Sequence, residues 1–326
     1  MANSVTIAVI RTSIVTWIAG WLPRRVHRLQ VLRLHRLVRT LRRLYDSYPG
    51  PIVTRVHGIR AKLNGGNPYP FLVEEHPLFN RPLVELVRHV AAQVDRRVVV
   101  IDVGASLGNT VLLLKEHAAD SIVALHCIEA DEGFFPLLQE NTARYSEVVL
   151  HRAMLAREPK LVASLVHHHP GTAAAIGLET VPATTLDLLL LDRLPHCDII
   201  KIDIDGSDGE ALLGAGQLLK RDRPAVIFEW HPHLIHQAGN DPRAAFAALD
   251  AVGYRCLLWF RNTGHFSHFS NAACSEIKSW ERFLLEMQRF GDPHFDIVAL
   301  PPQLEHLAFT IASLGKLPPP ENATMR

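Results

Sequence analysis

The sequence predicts an α/β protein built on a doubly wound, mostly parallel, seven-stranded sheet, and three observations predict it. Apolar blocks at Val98–Val103, Ile122–Ile128, Val148–Leu150, Asp198–Asp203 and Ala225–Trp230 read as buried strands. Helical patterns at Asn109–His117, Gly133–Tyr145, Ser207–Lys220 and Pro242–Val252 lie between or after them. "GYRCLLWF" and "FDIVALP" near the end add two further strands. At 326 residues and 48% hydrophobic content the chain is long enough to bury a large core.

In chain order, "MANSVTIAVIRTSIVTWIAGWL" is apolar but split by Arg11, has no charged region before it and no small-residue cleavage pattern after it. It predicts neither a cleaved signal nor a clean membrane span. No acidic residue precedes Asp46, yet nine arginines do: Arg11, Arg24, Arg25, Arg28, Arg33, Arg36, Arg39, Arg42 and Arg43. With a total of +1, the remaining residues carry a net charge of about −8, a mildly acidic body. Residues 24–45 predict a basic amphipathic helix with Leu34, Leu37, Val38, Leu41 and Tyr45 on one face. Its leucines would pack on the body or on a second subunit of a homo-oligomer, or the helix would lie on an anionic membrane surface as a peripheral contact.

"YPGPIVTRVHGIRAKLNGGNPYPF" predicts short strands and turns, and "HPLFNRPLVELVRHVAAQV" a helix with Pro82 in its first turn. Residues 1–89 therefore form an accessory region, 90–302 the main domain and 303–326 a C-terminal helix and tail. Of the four cysteines, Cys127 and Cys197 lie in strand-like runs and none has metal-ligand spacing, which indicates free thiols in a reducing, cytoplasmic setting.

"VVVIDVGASLGNTVLLLKEH" places a glycine turn between the first core strand and its helix, where doubly wound sheets bind ligands. Gly104 and Gly108 permit a tight turn and close backbone approach, Asp102 offers an acceptor at the strand tip, and the helix start offers free N–H groups. G-x-G-x-x-G is not met, which argues against a nicotinamide turn. The G-x-S-x-G reading, with Ser106 as nucleophile, lacks an acid–histidine pair in suitable order. Glu129 ends the second strand, placed to take both hydroxyls of a ribose. Together the glycine turn and the acidic tip point to a nucleoside-containing cofactor.

"CDIIKIDIDGSDGEALLGAGQLLKRDRPAVIFEW" carries the most specific pattern. Lys201, Asp203, Asp205, Gly206, Asp208, Leu212, Gly214, Ala215, Pro224, Ile227 and Glu229 fill a motif series that resembles the FkbM-type family of S-adenosylmethionine-dependent methyltransferases, as does "VPATTLDLLL" at Val181–Leu190. The likeness runs from about Val98 to Glu229. It departs from the family at Ser106, where Asn is usual, at Asn109, where Asp is usual, and at Asp205 and Asp208, which replace glutamates. The resemblance implies a Rossmann-like methyltransferase fold and S-adenosyl-L-methionine as cofactor, held by Asp102, Gly104, Ser106, Gly108, Asn109, Glu129 and Ala153. It implies O-methylation of a hydroxyl on a sugar, glycan or secondary metabolite, that is, a small-molecule or glycan acceptor. The alternative is a non-catalytic scaffold or regulatory protein that keeps the fold.

Methyl transfer from a sulfonium needs alignment, and a hydroxyl acceptor needs a proton acceptor or a cation. Asp203 at the fourth strand's tip is expected to position the acceptor, with Asp205 second and His231 as general base. A cation held by Asp203, Asp205 and a histidine would be oxygen-rich and close to Mg2+, but no metal site is expected. His167–His169 and the His265/His268 pair lack zinc spacing, and the former belong to a hairpin turning through His168–Gly171. A nucleic-acid partner is not expected, because the arginines have no interleaved aromatics and "IDIDGSD" is not the aromatic motif of nucleic-acid methyltransferases.

Overall fold

The computed structural model describes residues 2–26, 34–169, 172–271 and 276–314. A helix at Ala2–Trp21 leads through a 3₁₀ turn at Pro23–Arg25, and a second helix covers His35–Asp46. Residues 27–33 of the expected basic helix lie outside the described residues. Strands β1 (Ile52–Val56) and β2 (Ile59–Leu63) form an antiparallel hairpin. Val15, Ile18, Ala19 and Leu22 pack with Tyr45, Ile52 and Phe71 in a small core, with Val38 and Leu41 against it. The Tyr45 hydroxyl donates to the Asn67 carbonyl at 2.5 Å, and the Arg42 guanidinium lies 3.9 Å over the Phe71 ring. Three of the five predicted face residues thus pack on the body, Tyr45 fully buried and Val38 and Leu41 partly. Leu34 and Leu37 are instead 41% and 44% exposed, because the helix presents only its Val38–Leu41–Tyr45 stripe to the body. Among the described residues no helix is long and apolar enough to cross a membrane.

Deleting residues 1–45 removes this lid from Ile52 and Phe71, both essentially inaccessible in the intact chain. Each large apolar side chain so uncovered costs roughly 1.5–3 kcal/mol. The truncated protein is therefore expected to melt several degrees lower or to aggregate. An unchanged melting midpoint, with loss of binding to anionic vesicles, would instead assign the segment to a membrane surface.

The helix Arg81–Val94, with Pro82 in its first turn as expected, precedes β3 (Val98–Val103). Then follow β4 (Ile122–Glu129) and β5 (Val148–Arg152). A smaller sheet contains β6 (Met154–Leu155), β7 (Lys160–His169) and β8 (Thr172–Thr184), in the order β6-β8-β7. The histidine run does lie in a hairpin, but His168 and His169 belong to strand β7 rather than to the turn, and residues 170 and 171 are outside the described residues. The chain continues through β9 (Ile199–Ile202), β10 (Ala225–Trp230), β11 (Cys256–Arg261), β12 (Phe266–Ser270) and β13 (Phe295–Leu300).

The main sheet has the order β12-β11-β13-β10-β9-β3-β4-β5. From β10 to β5 every neighbour is parallel, and β13 runs antiparallel between β10 and β11. All seven predicted strands are present. β12 is an eighth, paired antiparallel at the β11 edge. β3 is buried along its whole length because helices cover both faces, which is why it reads as an unbroken apolar run. The helix expected over Ser207–Lys220 is two, Asp208–Leu213 and Gly216–Asp222. They break at Gly214, which presses so close to the Ala156 carbonyl that a Cβ would lie 2.4 Å away. Cys127 and Cys197 are buried free thiols, as expected.

Candidate active site

Strand order reverses at β3, with β4 and β5 on one side and β9 and β10 on the other. The crevice at the carboxyl ends of these strands opens into a cavity of about 840 Å³. Gly104, Ser106, Asn109, Glu129, Ala153, Asp203, Asp205 and His231 all line it. Asp102 and Gly108, expected to bind cofactor, do not. Asp102 is fully buried beneath the turn, where Lys201 Nζ lies 3.1 Å from its carboxylate. Gly108 is the N-terminal cap of the helix Asn109–His117, at φ 96°, and faces Thr142 and Leu138. Both shape the turn from behind rather than touch the cavity.

The turn is held from two sides. The amides of Gly104 and Ala105 both donate to the Ile128 carbonyl at 3.0 Å, and Lys201 Nζ donates to the Gly104 carbonyl at 3.2 Å. Glu129 accepts from the Ser106 amide at 2.6 Å through one oxygen and from the Asp131 amide at 2.7 Å through the other. The Ala130 amide adds a third backbone bond, and the carboxylate keeps acceptor capacity for a ligand hydroxyl. Ser106 Oγ and Asn109 Oδ1 are buried in the cavity wall without a hydrogen-bond partner among the described residues.

Burial pushes the Glu129 carboxyl up to about 6, against the pull of its backbone amides. A ribose hydroxyl is held best by the ionised form. Affinity for a nucleoside cofactor is therefore expected to be level above about pH 7. Below about pH 6 it should fall by up to about tenfold per pH unit, as binding must then release the proton. The sign for folding is opposite: a raised acid loses stability as pH rises through the window from its ordinary value to about 6. Calorimetric titration with S-adenosylmethionine between pH 5 and 8 measures the effect. Glu129→Gln should bind more weakly with a flat profile, and a slope that survives in this variant would remove Glu129 as its source.

The opposite wall is acidic. Asp203 is half-exposed, 3.5 Å from Lys201 Nζ, and Asp205 holds a left-handed φ of 48°. Lys201 is the one lysine or arginine among the residues lining the cavity. Burial works against its charge, but Asp102 and Asp203 outweigh burial and hold the ammonium above the ordinary lysine range. Asp208 and Glu229 are pushed well above the carboxylate range, first by burial and then by the neighbouring carboxylates Asp203 and Asp205.

His231 caps the helix Pro232–Gln237, and both of its nitrogens are engaged. Nε2 lies 2.7 Å from Asp292 Oδ1, and Nδ1 accepts from the Leu234 amide at 3.4 Å. Taking these bonds together, the proton sits on Nε2, so the lone pair expected of a general base is not free. Its ring stacks on His294 at 4.9 Å. Burial, then the neighbouring His231, lowers the His294 pKa to about 4, so this ring is neutral. Asp292 is held well below the usual carboxylate range, chiefly by the His231 hydrogen bond.

Sequence reasoning missed Asp292, His294 and the lining supplied by residues 67–80, which include Tyr69, His76 and Asn80. Asp292 and His294 precede β13, and β13 is antiparallel, so its start meets the carboxyl end of β10: Phe295 pairs with Trp230. The polar "GDPHFD" before a last strand was the available signal.

Residues 102–256 match the sequence model of a family described as "Methyltransferase FkbM domain". No curated protein matches the chain significantly. Among solved structures, the methyltransferase FkbM from Methylobacillus flagellatus is similar at 16% identity and a TM-score of 0.40. The match covers 62% of this chain and 43% of that one, less than half of its length. An O-methyltransferase from Bacillus cereus in complex with SAH gives 15% identity, coverage of 67% and 80%, and a TM-score of 0.37. The fibrillarin pre-rRNA processing protein of Methanococcus jannaschii gives 13%, 63% and 66%, and 0.35.

Proposed function

Because residues 102–256 form an FkbM-type methyltransferase domain, we propose that the protein transfers a methyl group from S-adenosylmethionine to a hydroxyl oxygen of a sugar, glycan or secondary metabolite. One observation carries this reading. A single cavity joins a ribose-type carboxylate, Glu129, and the orphaned Ser106 Oγ and Asn109 Oδ1 to a wall of carboxylates at the tip of β9.

The residues fit the cofactor. Glu129 keeps acceptor capacity for a ribose hydroxyl, and Ser106 and Asn109 offer unsatisfied polar atoms to the polar methionine end. Gly104 lets the turn pack directly on the Asp203 carbonyl, where a Cβ would lie 1.9 Å away. When bound, S-adenosylmethionine supplies an electrophilic methyl on a sulfonium. The chain's part is to align the acceptor and take its proton. Asp203, half-exposed at the strand tip, holds the acceptor hydroxyl and receives that proton, and Asp205 flanks it. His231 belongs with Asp292 in the wall rather than acting as a free base. The volume lies toward the upper end of the roughly 300–1,000 Å³ of small-molecule sites, which suits a cofactor with an acceptor beside it.

Asp203→Asn keeps size and removes charge. Turnover on a hydroxylated acceptor is expected to fall at least about tenfold, the lower range of acid–base help, while S-adenosylmethionine affinity stays within a few-fold. Calorimetry and a methyl-transfer assay over a panel of sugars and polyols measure both. Failure of the wild type to bind S-adenosylmethionine would defeat the reading. Binding without turnover on any acceptor would favour a non-catalytic role.

A further inference from the structure

We infer that the cavity wall holds a divalent first-row transition-metal ion between His231, Asp292 and His294, with Glu229 as its neighbour. One nitrogen of each imidazole and one Asp292 oxygen lie within 4.8 Å of one another. Ligands at about 2.0–2.2 Å from an ion stand roughly 3–4 Å apart, so only small side-chain shifts separate this cluster from a coordination shell.

The surroundings favour an ion independently of that spacing. His294 Nδ1 donates to the Asp292 carbonyl at 3.0 Å, which turns the Nε2 lone pair toward Glu229 Oε1, 3.3 Å away. A ring fixed by a backbone carbonyl is the usual support of a metal-ligating histidine. Gln288 Nε2 donates to Asp292 Oδ1 at 3.1 Å and steadies the carboxylate. Glu229 Oε2 is buried without a partner among the described residues. Glu229 also faces Asp296 directly across β10 and β13, so a second carboxyl group lies beside the cluster. An ion would replace the proton that His231 shares with Asp292, leaving His231 to carry its proton on Nδ1 at the expense of the long Leu234 bond.

Two imidazoles and a carboxylate select Mn2+, Fe2+, Co2+ or Zn2+ over Mg2+ and Ca2+, which prefer all-oxygen sets. This differs from the oxygen-rich Asp203–Asp205 site weighed from the sequence. Metal binding stands without reference to catalysis. Its use rests on the methyl-transfer reading, in which the ion would hold the acceptor hydroxyl and ease loss of its proton to Asp203.

The test is titration of metal-stripped full-length protein with Co2+, followed by visible absorption and calorimetry. One ion per chain is expected, with a spectrum of nitrogen-containing coordination. Asp292→Ala and His294→Gln should each weaken uptake at least tenfold. Asp292 is largely exposed, so its variant keeps the fold and decides the matter even if His294→Gln does not. Uptake unchanged in Asp292→Ala would place the ion on other histidines and overturn the site. Failure of Co2+, Mn2+ and Zn2+ to bind would also overturn it, as would a preference for Mg2+. S-adenosylmethionine titration of the stripped protein keeps the two readings apart, because cofactor binding without metal uptake would defeat only the metal site.

Discussion

Gly104→Ala is expected to abolish measurable S-adenosylmethionine binding and to lower stability by several kcal/mol. Gly104 sits at φ +79°, and a Cβ there would lie 1.9 Å from the Asp203 carbonyl oxygen, 2.8 Å from its carbon and 2.9 Å from Ile204 Cγ2. The left-handed backbone alone costs a residue with a Cβ about 1–2 kcal/mol. The obstruction cannot turn aside, since it is backbone, and the Asp203 amide is itself bonded to the Val103 carbonyl at 3.0 Å. Relief therefore requires the tips of β3 and β9 to part. That movement would carry away the Ser106 amide that orients Glu129 and open the ion pairs of Lys201 with Asp102 and Asp203. Gly216→Ala is the matched control, because nothing lies within 4 Å of its Cβ position and alanine suits a helix start. Thermal melts and calorimetry compare the two, and a Gly104→Ala protein that binds cofactor like wild type would show that the turn is not the cofactor's seat.

The strands and the glycine turn were legible in the sequence because parallel strands buried on both faces leave apolar runs, and because a turn this crowded tolerates no Cβ. Glu129, Asp203 and Asp205 were legible for a related reason: strand tips at a switch point are where ligands meet the chain. What escaped were residues whose position depends on topology rather than local pattern. Asp292 and His294 reach the cavity only because β13 reverses direction beside β10. Tyr69 and Asn80 reach it only because the segment after β2 meets the cavity at the carboxyl ends of the strands. His231 lines the cavity, but the engagement of both its nitrogens depends on Leu234 and Asp292, one close in sequence and one 61 residues away. Lys201 was visible as a motif residue. Its work under the turn was not, since it depends on the pairing of β9 with β3 that sets Lys201 beside Asp102.

That pairing carries the second large effect. Lys201→Met is expected to destabilise the protein by roughly 3–5 kcal/mol, the cost of breaking a buried ion pair from one side. The methionine fills much of the lysine's volume, so the loss is electrostatic: Asp102, fully buried, keeps its carboxylate but loses the ammonium 3.1 Å away. In the variant the cheaper state of Asp102 is the protonated acid, so its folded pKa lies far above its unfolded one. Stability is then fullest below the unfolded carboxylate range and falls as pH rises through the raised pKa, by up to about 1.4 kcal/mol per unit. Wild type, where Lys201 offsets part of the burial that raises the Asp102 carboxyl, should show a shallower slope over the same window. Urea denaturation at pH 5 and pH 8 reads the difference, and equal slopes in the two proteins would refute the account. Adding Asp102→Asn to Lys201→Met removes the stranded charge. The double variant should recover much of the stability and lose the pH dependence, because what Lys201 chiefly does is make an ionised Asp102 more tolerable beneath the glycine turn.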